Sequence, residues 1–170
     1  AGMTDAKMPD IQSGYEKGIT TVLAGLSGGN MVYEAAGMHG SLLGFCLESL
    51  IIDNDILGQS LRCVRGVEVN KDTLSLDTIR DVINGPEHFL GHPQTLDLMQ
   101  KEYVYPVIGD RTTPKEWEEL QKPEMIAKAI AEKRRILDEH YPAYISADLD
   151  AELRRKFDIK LPREQMLRTP

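Results

Sequence analysis

Apolar residues recur at helical spacing along the front of the chain. In "PDIQSGYEKGITTVLAGLSGG", Ile11, Tyr15, Ile19, Val22, Leu23 and Leu26 share one side of a helix that Gly28-Gly29 closes. That side is the one the pattern sends inward. "NMVYEA", residues 30–35, reads as a short strand. A helix of about 18 residues follows from Leu47, with Leu47, Leu50, Ile51, Leu57, Leu61 and Val64 on one face and Ile52 and Ile56 on another. Apolar on most sides, it is expected to be deeply buried.

The rest of the chain alternates short amphipathic runs with turn signals. "DTLSLDTIRDVING" predicts a short helix stopped by Gly85-Pro86, and "HFLGHPQTLDLMQKEYVY" a second one behind a proline-marked turn, both surface helices over a larger body. Thr113 and Glu116, three apart with Pro114 between them, predict a capping box and a helix starting at Pro114. From Pro123 to His140, Ile126, Ile130 and Leu137 keep helical spacing while Glu124, Lys128 and Glu132 alternate in charge, the pattern of a solvated helix. "SADLDAELRRKF" adds a helix capped by Ser146, with Asp148 and Asp150 in its first turn. The final "DIKLPREQMLRTP" reads as an extended tail, and no internal repeat occurs.

Composition narrows the function classes. At 170 residues and 41% hydrophobic content the chain can bury a core. A net charge of −7 and a pI near 5.1 argue against a nucleic-acid surface, which needs a basic stripe. No apolar run suits a bilayer and "AGMTDAKMPD" has no signal-peptide layout, so a cytoplasmic protein without a membrane partner is expected. Cys46 and Cys63 lack CxxC spacing and nearby histidine, which predicts buried free thiols rather than a disulfide or metal site.

Chemistry concentrates in "NMVYEAAGMHG", where Tyr33, Glu34 and His39 stand among Gly, Ala and Met. Small residues beside a few polar side chains suit a place where backbone must come close to another element or a ligand. His39, between Gly37 and Gly40 on an expected strand-to-helix connection, could be a hydrogen-bonding group or general base, or a structural loop histidine. Glu34 has little room to extend among Ala35, Ala36 and Gly37; it is paired, faces a cavity, or reaches solvent. Asp53-Asn54-Asp55 and Glu48 interrupt the apolar helix, and Asn54, in line with its leucines, is expected to be buried and hydrogen-bonded. A metal there lacks a histidine partner, and Gly91 and Pro93 around His92 break any helix that would pair it with His88. "GLSGGN" precedes a strand rather than following one, so it is no phosphate loop.

"TDAKMPDIQSGYEKGITTVLAGLSGGNMVYEAAGM", "LESLIIDNDILG", "GPEHFLGHPQTLDLM" and "EYVYPVIGDR" together resemble the trimethylamine methyltransferase family, corrinoid-dependent enzymes that demethylate methylated amines. The resemblance runs from about Met3 to about Pro162. It implies an α/β fold class: the C-terminal fragment of a (β/α)8 TIM barrel, mainly helical with two or three short strands. Residues 1–66 would be the last strands and helices of the barrel, and 67–170 a helical extension packed on it. "YEAAGMHG" would then be a strand end with its loop at the active-site mouth, and "GMTDAK" the preceding strand end, bringing Asp5 and Lys7 there. His39, Glu34, Tyr33 and Asp5 would contact the substrate, while Gly37 and Gly40 would let the corrinoid (cobalamin) of a cognate partner protein approach.

In that family the trimethylamine-specific members carry pyrrolysine, and no residue outside the standard set stands in this sequence. Members without it are associated with quaternary amines such as glycine betaine, whose nitrogen already carries the charge that lets a neutral amine leave. Positioning a cation and excluding water are then the protein's main tasks. The competing expectation is a non-catalytic helical module, inactive without the missing barrel strands. In either case exposed apolar faces would favour a homo-oligomer.

Overall fold

The computed structural model describes residues 1–85, 88–142 and 144–166 and is mainly helical. The order is α1 (Ile11–Leu26), β1 (Met38–His39), β2 (Gly44–Phe45), α2 (Leu47–Arg65), α3 (Leu76–Ile83), α4 (Pro93–Glu102), α5 (Pro114–Glu119), α6 (Met125–Glu139) and α7 (Ala147–Lys156), then a 3-10 turn at Arg163–Met166. The two strands pair antiparallel, Met38 opposite Phe45 and His39 opposite Gly44. Two compact units result, Ala1–Ala129 and Ile130–Pro170.

Local chemistry explains where the helices start. Asp10 accepts from the Ser13 N–H at 3.0 Å to cap α1, and His92 Nδ1 accepts from the Gln94 N–H at 3.2 Å to cap α4. The capping box of α5 forms as expected, with the Glu116 carboxylate reaching back to the Thr113 N–H at 2.8 Å. Ser146 caps α7. The stop expected at Pro86 and the last four residues of the expected tail lie outside the described residues, and Arg163–Met166 is a 3-10 turn instead of extended chain.

No strand forms over 30–35. Glu34 sits at φ 53°, in the left-handed region, so the chain turns there and pairing begins only at Met38.

The packing of α1 on α2 reverses the expectation from periodicity. Ser13, Lys17 and Thr21 of α1 are buried, as are Ser49, Asp53, Asp55 and Ser60 of α2. Their apolar faces point outward: Ile11 is 89% exposed, Leu23 61% and Leu61 68%. The deep burial expected of α2 is therefore not what forms in this chain, because small and polar side chains make the helix–helix seam. Small groups let the backbones approach, and a Cβ added to Gly25 would fall 2.4 Å from Val64 Cγ2. Lys17 meets Asp53, Thr21 meets Ser60 and Gly25 meets Val64, so the contacts climb both helices together and the two run in the same direction.

Two other expectations on α2 change for the same reason. Asn54 is exposed while its neighbours Asp53 and Asp55 turn inward. The cysteines are free, but Cys63 is exposed and Cys46 half-buried, its thiol donating to Glu48 Oε2 at 3.3 Å.

Asp55 ties α2 to the segment before α5. Its carboxylate accepts from the backbone N–H groups of Val107 (2.7 Å), Ile108 (3.0 Å) and Gly109 (3.0 Å). Bonds to a charged acceptor are worth roughly 1.5–3 kcal/mol each, so Asp55→Ala should lower stability by at least that range. A denaturant midpoint shift measures it, and Asp55→Asn, keeping one carbonyl oxygen, should lose less. In the second unit Asp150 plays a similar part, accepting from Arg154 Nε at 2.8 Å with Arg163 at 3.4 Å. The Arg154 hydrogen bond foremost holds the Asp150 carboxyl below its ordinary value.

Candidate functional site

The first residues and the hairpin lie side by side. Gly40 N–H donates to Ala6 O at 3.0 Å and Ser41 N–H to Thr4 O at 3.2 Å, while Gly2 lies directly against Ala35. Between them and α1 opens a groove lined by Met3, Thr4, Asp5, Glu16, Thr20, Ser41 and Leu42. Its hairpin side is strained at Ser41 and Leu42, which follow Gly40 into the left-handed region at φ 55° and 73°. The two backbone bonds to Thr4 and Ala6 hold it there, and Ser41 Oγ donates to Asp5 Oδ1.

The groove carries negative charge. Glu16 accepts from Thr4 Oγ1 at 2.5 Å, Gln12 Nε2 at 2.8 Å and the Asp5 N–H at 2.9 Å. These bonds, Thr4's first, hold its carboxyl below the usual glutamate value. The stability this ionised group contributes is present above about pH 4.3 and is lost as the pH falls through its lowered folded value. Glu16→Gln should therefore remove part of the acid limb of the protein's pH–stability profile.

Beneath the hairpin the side chains are polar and dry. His39 is 4% exposed. Its Nδ1 stands 3.1 Å from Ala6 O, an acceptor only, so Nδ1–H donates there. Its Nε2 is left to accept, from Ser49 Oγ at 2.5 Å and with Lys17 Nζ 3.5 Å away. Lys17 Nζ in turn lies 2.6 Å from Asp53 Oδ2, the two side chains 1% and 2% exposed. The same Asp53 oxygen accepts from the Gly37 N–H at 2.7 Å. No described buried side-chain nitrogen or oxygen lacks a hydrogen-bond partner.

Of the residues singled out in the sequence, Asp5 lines the groove. His39 lies under the hairpin with both ring nitrogens engaged, Tyr33 is 78% exposed, and Glu34 is exposed on the turn leading to Ala35; none of the three lines the groove. Gly37, at φ 81°, is pressed against the Phe45 ring, where a Cβ would fall 2.3 Å from Cε2. Gly40 has open space at its Cβ position. Lys17, Ser49 and Glu16 are not among the residues the sequence singles out, and Asp53 stands there only in the acidic triplet that interrupts α2. For Lys17, Ser49 and Asp53 the signal is a second stripe on each helix, Ser13-Lys17-Thr21-Gly25 and Ser49-Asp53, spaced by four and distinct from the apolar one.

Comparison with known proteins places the sequence in a family. The family model described as trimethylamine methyltransferase (MTTB) matches residues 1–164. Trimethylamine methyltransferase MttB of Methanosarcina thermophila is 36% identical over 146 residues, which are 86% of this chain and 30% of that protein. MttB1 of Methanosarcina mazei is 34% identical over 155 residues, 91% of this chain and 31% of that protein. Glycine betaine methyltransferase of Desulfitobacterium hafniense (strain Y51) is 31% identical over 152 residues, 89% of this chain and 31% of that protein. The chain thus spans about 30% of the length of the curated relatives it matches, and it belongs to the trimethylamine methyltransferase family.

Proposed function

We propose that the whole protein moves a methyl group from a quaternary methylated amine, glycine betaine first among them, to the Co(I) of a corrinoid carried by a partner protein. The observation that carries the substrate side is the groove: the carboxylates of Glu16 and Asp5, with the Thr4 and Ser41 hydroxyls, form a mouth that attracts a cation. The trimethylamine and glycine betaine activities named for the relatives bracket the substrate class. A quaternary nitrogen keeps the N–C bond pair when its methyl carbon passes to cobalt, so the leaving amine is neutral and needs no proton. The chain's residues then have to orient the cation and exclude water rather than donate acid.

The barrel reading has its own support. Consecutive helices that run in the same direction need a crossover between them, and α1 and α2 climb together across the 27–46 connection. Neighbouring helices around a (β/α)8 barrel are arranged this way. On this reading residues 1–66 close the barrel and 67–170 extend it, and the apolar faces of α1 and α2 lie on the rest of the protein. Tyr33 and Glu34 would stand at the rim, His39 would orient the hairpin from below, and Gly40, with open space before it, would be where the corrinoid approaches, Gly37 shaping the turn.

Mixing the intact protein with glycine betaine and the reduced corrinoid protein, and following the cobalt spectrum, tests the reading; a spectrum unchanged by the amine contradicts it. The 170-residue chain alone should not support the change. It should instead bind an apolar-surface dye and sediment as a dimer or larger, whereas a dilute monomer that binds no dye would contradict the assigned role of the exposed faces.

A further inference from the structure

The geometry points to Asp53, its charge balanced by the buried Lys17, as a positioning residue for the groove, an inference that rests on the functional reading above. Joining α1 to α2 does not require charge. At the next contact along the seam, Thr21 Oγ1 and Ser60 Oγ meet at 2.9 Å and join the helices with two neutral hydroxyls. A buried ion pair is seldom more stabilising than apolar side chains of similar size, because desolvation offsets the attraction. What the pair adds is reach to a third element. Asp53 Oδ2 accepts from the Gly37 N–H at 2.7 Å, at the base of the hairpin, and Lys17 Nζ stands 3.5 Å from His39 Nε2. His39 is bonded to Ala6, and the next two residues, Gly40 and Ser41, donate to Ala6 and Thr4. From the ion pair to the Thr4, Asp5 and Ser41 wall of the groove is a short chain of direct bonds. Gly37 has no side chain to anchor it; its carbonyl is held by the Cys46 N–H at 2.9 Å and its N–H by Asp53.

Two double variants of the intact protein separate positioning from stability. Lys17→Met/Asp53→Asn removes both charges but keeps an oxygen that can accept from Gly37; Lys17→Met/Asp53→Leu removes the acceptor as well, with Asp53→Ala in its place if leucine is not accommodated. The asparagine variant should melt near the unsubstituted protein and the leucine variant modestly lower, because the buried Gly37 N–H loses its acceptor, so kcat is read well below both transitions. The asparagine variant should keep kcat for methyl transfer within about threefold, and the leucine variant should lose roughly tenfold or more in kcat with little change in KM. Amide exchange at Gly37 should quicken only in the leucine variant. Equal kcat in the two variants, with the unsubstituted protein active, overturns the inference and leaves the functional reading standing. If the unsubstituted protein transfers no methyl group, that reading falls, and Gly37 exchange alone decides the anchoring: equal rates in the two variants overturn it, faster exchange in the leucine variant upholds it.

Discussion

Lys17→Met alone, with Asp53 intact, should destabilise the protein by about 3–5 kcal/mol, the typical cost of leaving one member of a buried pair without its partner. Asp53 is 1% exposed and its Oδ2 would keep only the Gly37 N–H, too little to replace an ammonium at 2.6 Å. Denaturant unfolding of the intact protein reads the loss as a lower midpoint at unchanged slope. Removing the second charge as well should restore most of it, so the single and double variants should not add. A loss under about 1 kcal/mol would match an exposed ion pair and would mean that water reaches Lys17 and Asp53.

His39→Ala should slow methyl transfer roughly tenfold to a thousandfold, on the order of 1.4–4 kcal/mol of barrier. On the proposed reading that loss is one of positioning. The imidazole bridges Ala6 and Ser49 beneath the hairpin that presents Ser41, so its removal frees the groove wall rather than deleting a proton donor. His39→Gln, which keeps a hydrogen-bonding group, should recover part of the rate. Unchanged betaine demethylation in His39→Ala would demote the residue to loop structure, and equal losses in both variants would tell against a hydrogen-bonding role. Melting curves of both variants show how much of the effect is stability.

Element type was largely legible because it depends on local chemistry. Thr113, Pro114 and Glu116 announce a helix start, and the structure closes that capping box. Ser146 and the first-turn acids Asp148 and Asp150 do the same for α7. Which face turns inward is a tertiary property, and there the pattern misled. Ile11, Tyr15, Ile19 and Leu23 form the more apolar stripe of α1, yet the stripe that meets α2 is Ser13, Lys17, Thr21 and Gly25. Hydrophobic periodicity reports only the apolar face of a helix, and here the polar face makes the contact. The short strand failed for another reason: a left-handed Glu34 leaves no mark in a run as brief as "NMVYEA".

The candidate site divides the same way. Small residues around His39 signalled close approach, and they do accompany a tight hairpin in which Gly37 lies against Phe45. Asp5 was singled out and lines the groove. Glu16 escaped because, within α1, it reads as one more solvated acid. Only the fold brings Thr4 and the Asp5 N–H onto its carboxylate. Asp53 stood out as an acid on an apolar helix, but its pairing with Lys17 escaped because a lysine at a helical position is ordinarily exposed and the partnership spans 36 residues of sequence.

Isotope tracing shows whether the methyl group leaves a quaternary amine for a corrinoid. Glycine betaine labelled in its N-methyl groups, incubated with the intact protein and excess reduced corrinoid protein, should pass one label to the corrinoid for each tertiary amine released. Trimethylamine under the same conditions should pass none. Label arriving from trimethylamine and not from glycine betaine would contradict the account.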